Sequence, residues 1–162
     1  MRITAIPPEL RELMRYDRDS GELHWVTPPK KSRRRGSLAG CVNKEGYVVV
    51  TYCGRQFSGH RLAWFLETGS DAPSPIDHID GNRARNVWGN LRLATSSQNA
   101  ANRRGNGGGL KGVDVLPGGR FQARISFGGK LHYLGLFDTA EEAHAAYVAK
   151  AKELFGEFAR AA

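Results

Sequence analysis

Cysteine is scarce. The 162 residues hold two, Cys41 and Cys53, too few for a four-thiolate zinc site and no basis for a disulfide framework. Long apolar runs are missing too: no stretch approaches the roughly 18–20 apolar residues that a membrane span needs. The first residues, Met1-Arg2-Ile3-Thr4-Ala5-Ile6-Pro7-Pro8, lack the extended apolar region of a secretory signal. Acidic side chains are in the minority, 16 Asp and Glu against 24 Lys and Arg, for a net charge of +8. These shortages argue against an integral membrane protein and against a disulfide-built secreted one. They lead us to expect a cytoplasmic, soluble chain.

What is abundant is glycine, 20 residues, and 40% of the chain is apolar. That combination favours tight turns and short strands around real cores over long helices. The basic excess crowds near the N-terminus, above all in Lys30-Lys31-Ser32-Arg33-Arg34-Arg35. With an isoelectric point near 9.9, the cluster suits a polyanion, most simply nucleic acid. An anionic membrane surface fits less well, because the cluster is not on an amphipathic helix.

The spacing predicts a short helix over 7–14 and a strand–turn–strand over 16–25, with Asp19-Ser20-Gly21 in the turn. A β-rich run over 46–52 turns at Cys53-Gly54-Arg55, and a helix follows over 60–67. Short strands are expected at 76–79 and 91–93. Thr95 with Gln98 forms a capping box, so a helix should start there and run to about Arg104. Gly105 to Gly109 reads as a linker. Beyond it come strands over 110–116, 120–127 and 130–137. A helix capped by Thr139 and Glu142 follows, with Ala143, Tyr147, Ala151 and Leu154 as its stripe. In the middle strand Phe121, Ala123 and Ile125 alternate with Gln122, Arg124 and Ser126, so one sheet face is apolar and the other polar.

The chemistry-bearing residues lie in the middle. Asp77-His78 puts a carboxylate beside an imidazole. A neutral imidazole is the usual general base near neutral pH, and a carboxylate suits a hard cation such as Mg²⁺ or Mn²⁺. Asn99, in the first turns of the following helix, can offer a carbonyl oxygen to the same ion. Asn90, at the start of the second strand, can hold the histidine ring by a hydrogen bond. Together these groups could hydrolyse a phosphodiester. Taken alone, an Asp-His pair is also what a hydrogen-bonded surface turn carries.

The whole stretch widens the argument. His60-Arg61-Leu62-Ala63-Trp64, Asp77-His78-Ile79-Asp80-Gly81-Asn82, Asn90-Leu91-Arg92, Gln98-Asn99 and Asn102 together resemble the HNH endonuclease family, in the subgroup common among phage and homing endonucleases. The resemblance implies a ββα-metal fold. It assigns Asp77 and Asn99 to one divalent ion, Mg²⁺ or Mn²⁺, His78 to the general base and Asn90 to the orienting position. It implies no structural zinc here, since the paired cysteines of some relatives are lacking. His60 is expected to be structural, packed between strand and helix. Residues 110–158 resemble the APETALA2/ethylene-response-factor DNA-binding domain, through Lys111-Gly112-Val113, Phe121-Gln122-Ala123-Arg124-Ile125, Tyr133-Leu134-Gly135-Leu136-Phe137, Thr139-Ala140-Glu141-Glu142-Ala143 and Ala145-Ala146-Tyr147. Asp114 and Leu131 depart from its usual basic residues. That likeness implies that Lys111, Gln122, Arg124, Ser126 and Tyr133 face DNA, alongside Arg33, Arg34 and Arg35 of the basic loop.

The expected fold is therefore α+β. A β-hairpin-rich part over 1–59 leads into a ββα-metal core over 60–104. After the linker at 105–109, a three-stranded antiparallel sheet on one helix fills 110–162. The expected function is metal-dependent cleavage of double-stranded DNA of the homing type, in a bacterial or phage-infected cell, with no membrane and no obligatory protein partner. The alternative is a DNA-binding regulator whose nuclease module is inert.

Overall fold

The computed structural model describes residues 5–29, 35–103 and 109–160. The chain divides into two compact units, 1–93 and 94–162. Each is a mixture of helices and small antiparallel sheets.

The first unit opens with α1 (Leu10–Leu13), which runs straight into β1 (Met14–Tyr16). β1 pairs with β2 (Leu23–Trp25), Met14 opposite Trp25. The turn between them closes because the Asp17 carboxylate accepts the backbone N–H groups of Asp19 and Ser20. A second sheet follows: β3 (Cys41–Val42), β4 (Val48–Tyr52) and β5 (Arg55–Ser58), with β4 in the centre. Its last strand feeds α2 (Gly59–Thr68). That helix stops at Gly69, whose φ of 84° lets its N–H reach back to the Phe65 carbonyl. Leu10, Met14, Leu23, Trp25, Val50, Phe57 and Leu62 form the main core.

A two-stranded ribbon completes this unit. β6 (Ile76–His78) pairs antiparallel with β7 (Leu91–Leu93), putting Asp77 opposite Arg92 and His78 opposite Leu91. Ile76 and Leu91 pack with Ala63 and Ala72, which seats the ribbon on α2. A single 3₁₀ turn, Trp88–Asn90, delivers the chain into β7.

The second unit begins with α3 (Ser96–Ala101), opened by the expected capping box: Thr95 accepts the Gln98 N–H, and Gln98 accepts the Thr95 N–H. α3 ends at Ala101, earlier than expected. The Lys111 ammonium donates to the carbonyl of Ala101 and, at 2.6 Å, to that of Arg103, and so satisfies groups left open at the helix end. The sheet has the order β10 (Lys130–Phe137), β9 (Phe121–Phe127), β8 (Val113–Val115). α4 (Ala140–Phe155) covers one face, where Ile125, Tyr147, Ala151 and Phe155 are buried together with Ala101 of α3. Phe155 takes the inward place that the sequence stripe gave to Leu154, which is only partly buried. Gly112 is obligatory at its φ of 77°: a Cβ there would lie 2.0 Å from the Tyr147 ring.

α3 therefore shares its core with the C-terminal sheet, whereas the sequence places it with the nuclease core ahead of a linker at 105–109. Residues 104–108 lie outside the described ones. Gly109, the last residue of that stretch, is described. Among the described residues, no helix is long and apolar enough to cross a membrane.

Candidate active site

The β6–β7 ribbon buries the carboxylate and the imidazole expected to carry the chemistry. Asp77 and His78 are each 4% exposed. Burying a carboxylate costs free energy unless it is paired. The cross-strand neighbour supplies the pair: Arg92 Nε donates to Asp77 Oδ2 at 3.0 Å, and Nη2 lies 2.9 Å from the same oxygen.

His78 meets Asn86. Its Nε2 lies 3.0 Å from Asn86 Oδ1. An amide oxygen only accepts, so Nε2 carries the proton, and in the neutral ring the lone pair lies at Nδ1. Burial holds the pKa of His78 below the ordinary histidine value, outweighing the opposing pull of Asn86, Asp80 and Asp77. The ring is therefore a neutral imidazole at physiological pH.

This corrects the role expected of Asn90. Its amide does not hold the histidine. Its oxygen accepts the Asp80 N–H at 3.1 Å, and its nitrogen donates to Asp80 Oδ1 and to the Arg85 carbonyl, both at 2.9 Å. Asn90 thus fastens the loop between the strands. The orienting residue is Asn86, 1% exposed, and it is itself tightly placed. The Tyr16 hydroxyl donates to its carbonyl at 2.7 Å. Gly21, at φ 80°, lets the backbone at Asn86 and Val87 approach to within 2.4–2.6 Å of where a Cβ would stand. In the sequence Asn86 is one more polar residue of a polar loop. The one hint of its burial is the apolar pair Val87-Trp88 that follows.

Two further rings complete the surroundings. His60, on the first turn of α2, meets His78 edge to face with centroids 5.3 Å apart, and Tyr47 packs 5.5 Å from His60 and 6.2 Å from His78. His60 thus stands on α2 against the Tyr47 and His78 rings. Its Nδ1 is buried with no hydrogen-bond partner among the described residues. Burial and the neighbouring His78 and Arg61 push its pKa down to about 3. A histidine whose folded pKa lies below its unfolded value stabilises fully above about pH 6.5, and that contribution drains away as pH falls toward 3. We expect His60→Phe, which keeps the ring, to flatten this acid loss by about one proton, on the order of 4 kcal/mol across the window. Urea unfolding of both proteins at pH 7, 5 and 4 checks it. Parallel curves would mean that His60 already titrates normally.

Asn99 stands on α3, in the second unit, partly buried. Among the described residues, no group of three or more His, Cys, Asp or Glu is placed to hold a metal ion. The oxygen donors that are present suit a hard cation all the same, because Mg²⁺ keeps several waters and takes only one or two carboxylates from protein. The Arg92 contacts fall on one oxygen of Asp77, and a carboxylate has lone pairs for more than one partner.

A family model described as HNH endonuclease matches residues 59–101. The chain carries an HNH endonuclease domain there. The HNH stretch runs from α2 through both ribbon strands to α3, and so contains Asp77, His78, Asn86, Asn90 and Asn99. Over 120 residues the chain is also 37% identical to a protein of Acanthamoeba polyphaga mimivirus named as an uncharacterized HNH endonuclease. The alignment takes in 73% of this chain, which spans 63% of that relative's length. No solved structure matches the chain at a significant level.

Of the residues expected to face DNA, two are engaged internally. Lys111 caps α3, lies over the Tyr147 ring at 5.8 Å, and has its pKa lowered to about 8 by burial and by Arg160. It does not face outward, a correction with a simple cause: an ammonium at a helix C-terminus satisfies carbonyls that have no other donor. Arg124 is ion-paired with Asp114, its Nε donating to Oδ2 at 2.6 Å. Gln122 and Ser126 alternate with the buried Ala123 and Ile125, and so stand on the face away from α4. Tyr133 is 62% exposed opposite Arg124. Arg35 is exposed, while Arg33 and Arg34 lie outside the described residues.

Proposed function

We propose that this protein is a metal-dependent endonuclease that hydrolyses phosphodiester bonds in double-stranded DNA. The observation that carries the reading is His78: buried, neutral, fixed by Asn86 with its lone pair at Nδ1, and adjacent to Asp77 within the HNH match. His78 takes a proton from water as the water oxygen attacks phosphorus. The bond from phosphorus to the leaving oxygen then breaks, and a proton returns to that oxygen. The sequence resemblance assigns Asp77 and Asn99 to one divalent ion, Mg²⁺ or Mn²⁺. When bound, the ion supplies positive charge against the pentavalent phosphate and the leaving oxygen. Asn86 spares the base a search among ring orientations, and Arg92 holds the Asp77 carboxylate in place.

DNA is the substrate that the family name and the net charge of +8 both favour. We assign the C-terminal sheet to DNA contact through Gln122, Ser126 and Tyr133, with Arg124 available once it exchanges Asp114 for phosphate or base. The contact of this sheet with DNA and the homing type are both supported by the resemblance of the sequence. The test is direct. Supercoiled plasmid with Mg²⁺ or Mn²⁺ should become nicked or linear, and a chelator should stop the reaction. Intact plasmid under every divalent ion, with DNA still bound, would instead make the protein a regulator with a silent nuclease module.

A further inference from the structure

Most arginines around the ribbon are already matched to a carboxylate. Arg92 pairs with Asp77, Arg85 with Asp80 at 3.1 Å, and Arg61 with Asp71 at 2.8 Å. Arg83 is different: among the described residues no carboxylate pairs with it. Its guanidinium lies over the Tyr47 ring, 5.0 Å from the centroid, and its Nη1 donates to the Glu45 carbonyl at 3.0 Å. Tyr47 is the ring that also packs against His78 and His60. One aromatic side chain therefore carries the unmatched cation on its surface and borders the base.

The segment that bears Arg83 is fixed rather than loose. Asp80 Oδ1 accepts the Asn82 N–H, Asn82 Oδ1 accepts the Ala84 N–H, and Asn90 ties Asp80 and Arg85 together. Such nested side-chain turns hold a short loop in one conformation. A guanidinium has five N–H donors in a planar fork that matches phosphate oxygens, and Glu45 engages one nitrogen.

We propose that Arg83 binds a non-bridging oxygen of the phosphodiester under attack, with Tyr47 and the Glu45 carbonyl as its mount. The proposal rests on the nuclease reading above and adds the group that meets the phosphate on the protein side. Arg83 would place the phosphorus for attack and offset the charge that builds on its oxygens, a task for which a preorganised donor matters most.

The test compares the full chain with Arg83→Gln and Arg83→Lys. Plasmid nicking with Mn²⁺ at saturating protein gives the rate constant. Binding of a generic duplex in chelator, across a salt series, gives the number of phosphate contacts. We expect Arg83→Gln to nick about 10²-fold more slowly and to lose about one unit of salt slope. Arg83→Lys should keep the slope and recover only part of the rate, since it retains the charge without the fork. Equal melting temperatures confirm the fold; should Arg83→Gln fall short, the lysine variant decides alone. A lower slope with an unchanged saturating rate would make Arg83 a contact to some other phosphate, and would overturn the assignment. So would unchanged values of both. If the unaltered protein cuts nothing, the nuclease reading itself fails, and the assignment with it. Cutting that is indifferent to Arg83 sinks the assignment alone.

Discussion

Replacing His78 with alanine is expected to lower DNA cleavage by about 10²–10⁴-fold while affinity for duplex DNA stays within a few-fold. The size follows from what is removed. A positioned neutral imidazole is lost, and water at neutral pH offers no comparable acceptor. The alanine also strands the Asn86 amide oxygen in a site where that residue is 1% exposed, which should cost roughly 1–3 kcal/mol of stability. Melting must therefore be followed beside activity. Nicking at saturating protein, and binding in chelator, separate the two roles. Parallel loss of binding and cleavage would make the ring structural. The pH profile adds a sign. Because burial lowers the His78 pKa from the usual 6.5, the acid limb should fall below pH 6.5, where an unperturbed histidine would already be half protonated. A limb above that value would contradict a buried base.

The second large effect concerns stability. Arg92→Leu is expected to destabilise the first unit by about 3–5 kcal/mol, because it takes the guanidinium away from the buried Asp77 carboxylate. Asp77 is 4% exposed and meets two nitrogens of the same guanidinium, so water cannot easily replace what is lost. Combining it with Asp77→Leu removes both charges and should recover most of the loss, since a buried pair is often no better than an apolar one of similar volume. Urea unfolding of the three variants decides. If Arg92→Leu alone costs under about 1 kcal/mol, Asp77 is hydrated and the pair is an ordinary surface bridge. The double variant should be catalytically dead whatever its stability, as it lacks the proposed ion ligand.

Local signals carried much of this architecture. The Thr95–Gln98 box, the Asp17 to Glu22 turn and the alternation along Phe121–Phe127 all appear where short-range rules put them. Their causes lie within a few residues of their effects. What was illegible depends on partners far along the chain. Asn86 gains its role from His78 across a loop and from Tyr16, 70 residues earlier. Lys111 and Arg124 have the residue type and place of DNA contacts, yet an open helix end and Asp114 claim them first. The position of Asn90 in the motif suggests a hold on the histidine, whereas its three side-chain hydrogen bonds clamp the loop. Chain order groups α3 with the strands before it, whereas Ala101 is buried with Ile125 and Tyr147. In each case the residue type was informative and its competition for partners was not.

The Asp77–Arg92 bridge has a last consequence. In many small metalloproteins the cation is a keystone, and the polypeptide collapses without it. Here an internal guanidinium already balances the carboxylate proposed to grip the ion. Chelation should then stop the proposed cleavage while the melting curve barely moves, and resupply should restore it without refolding.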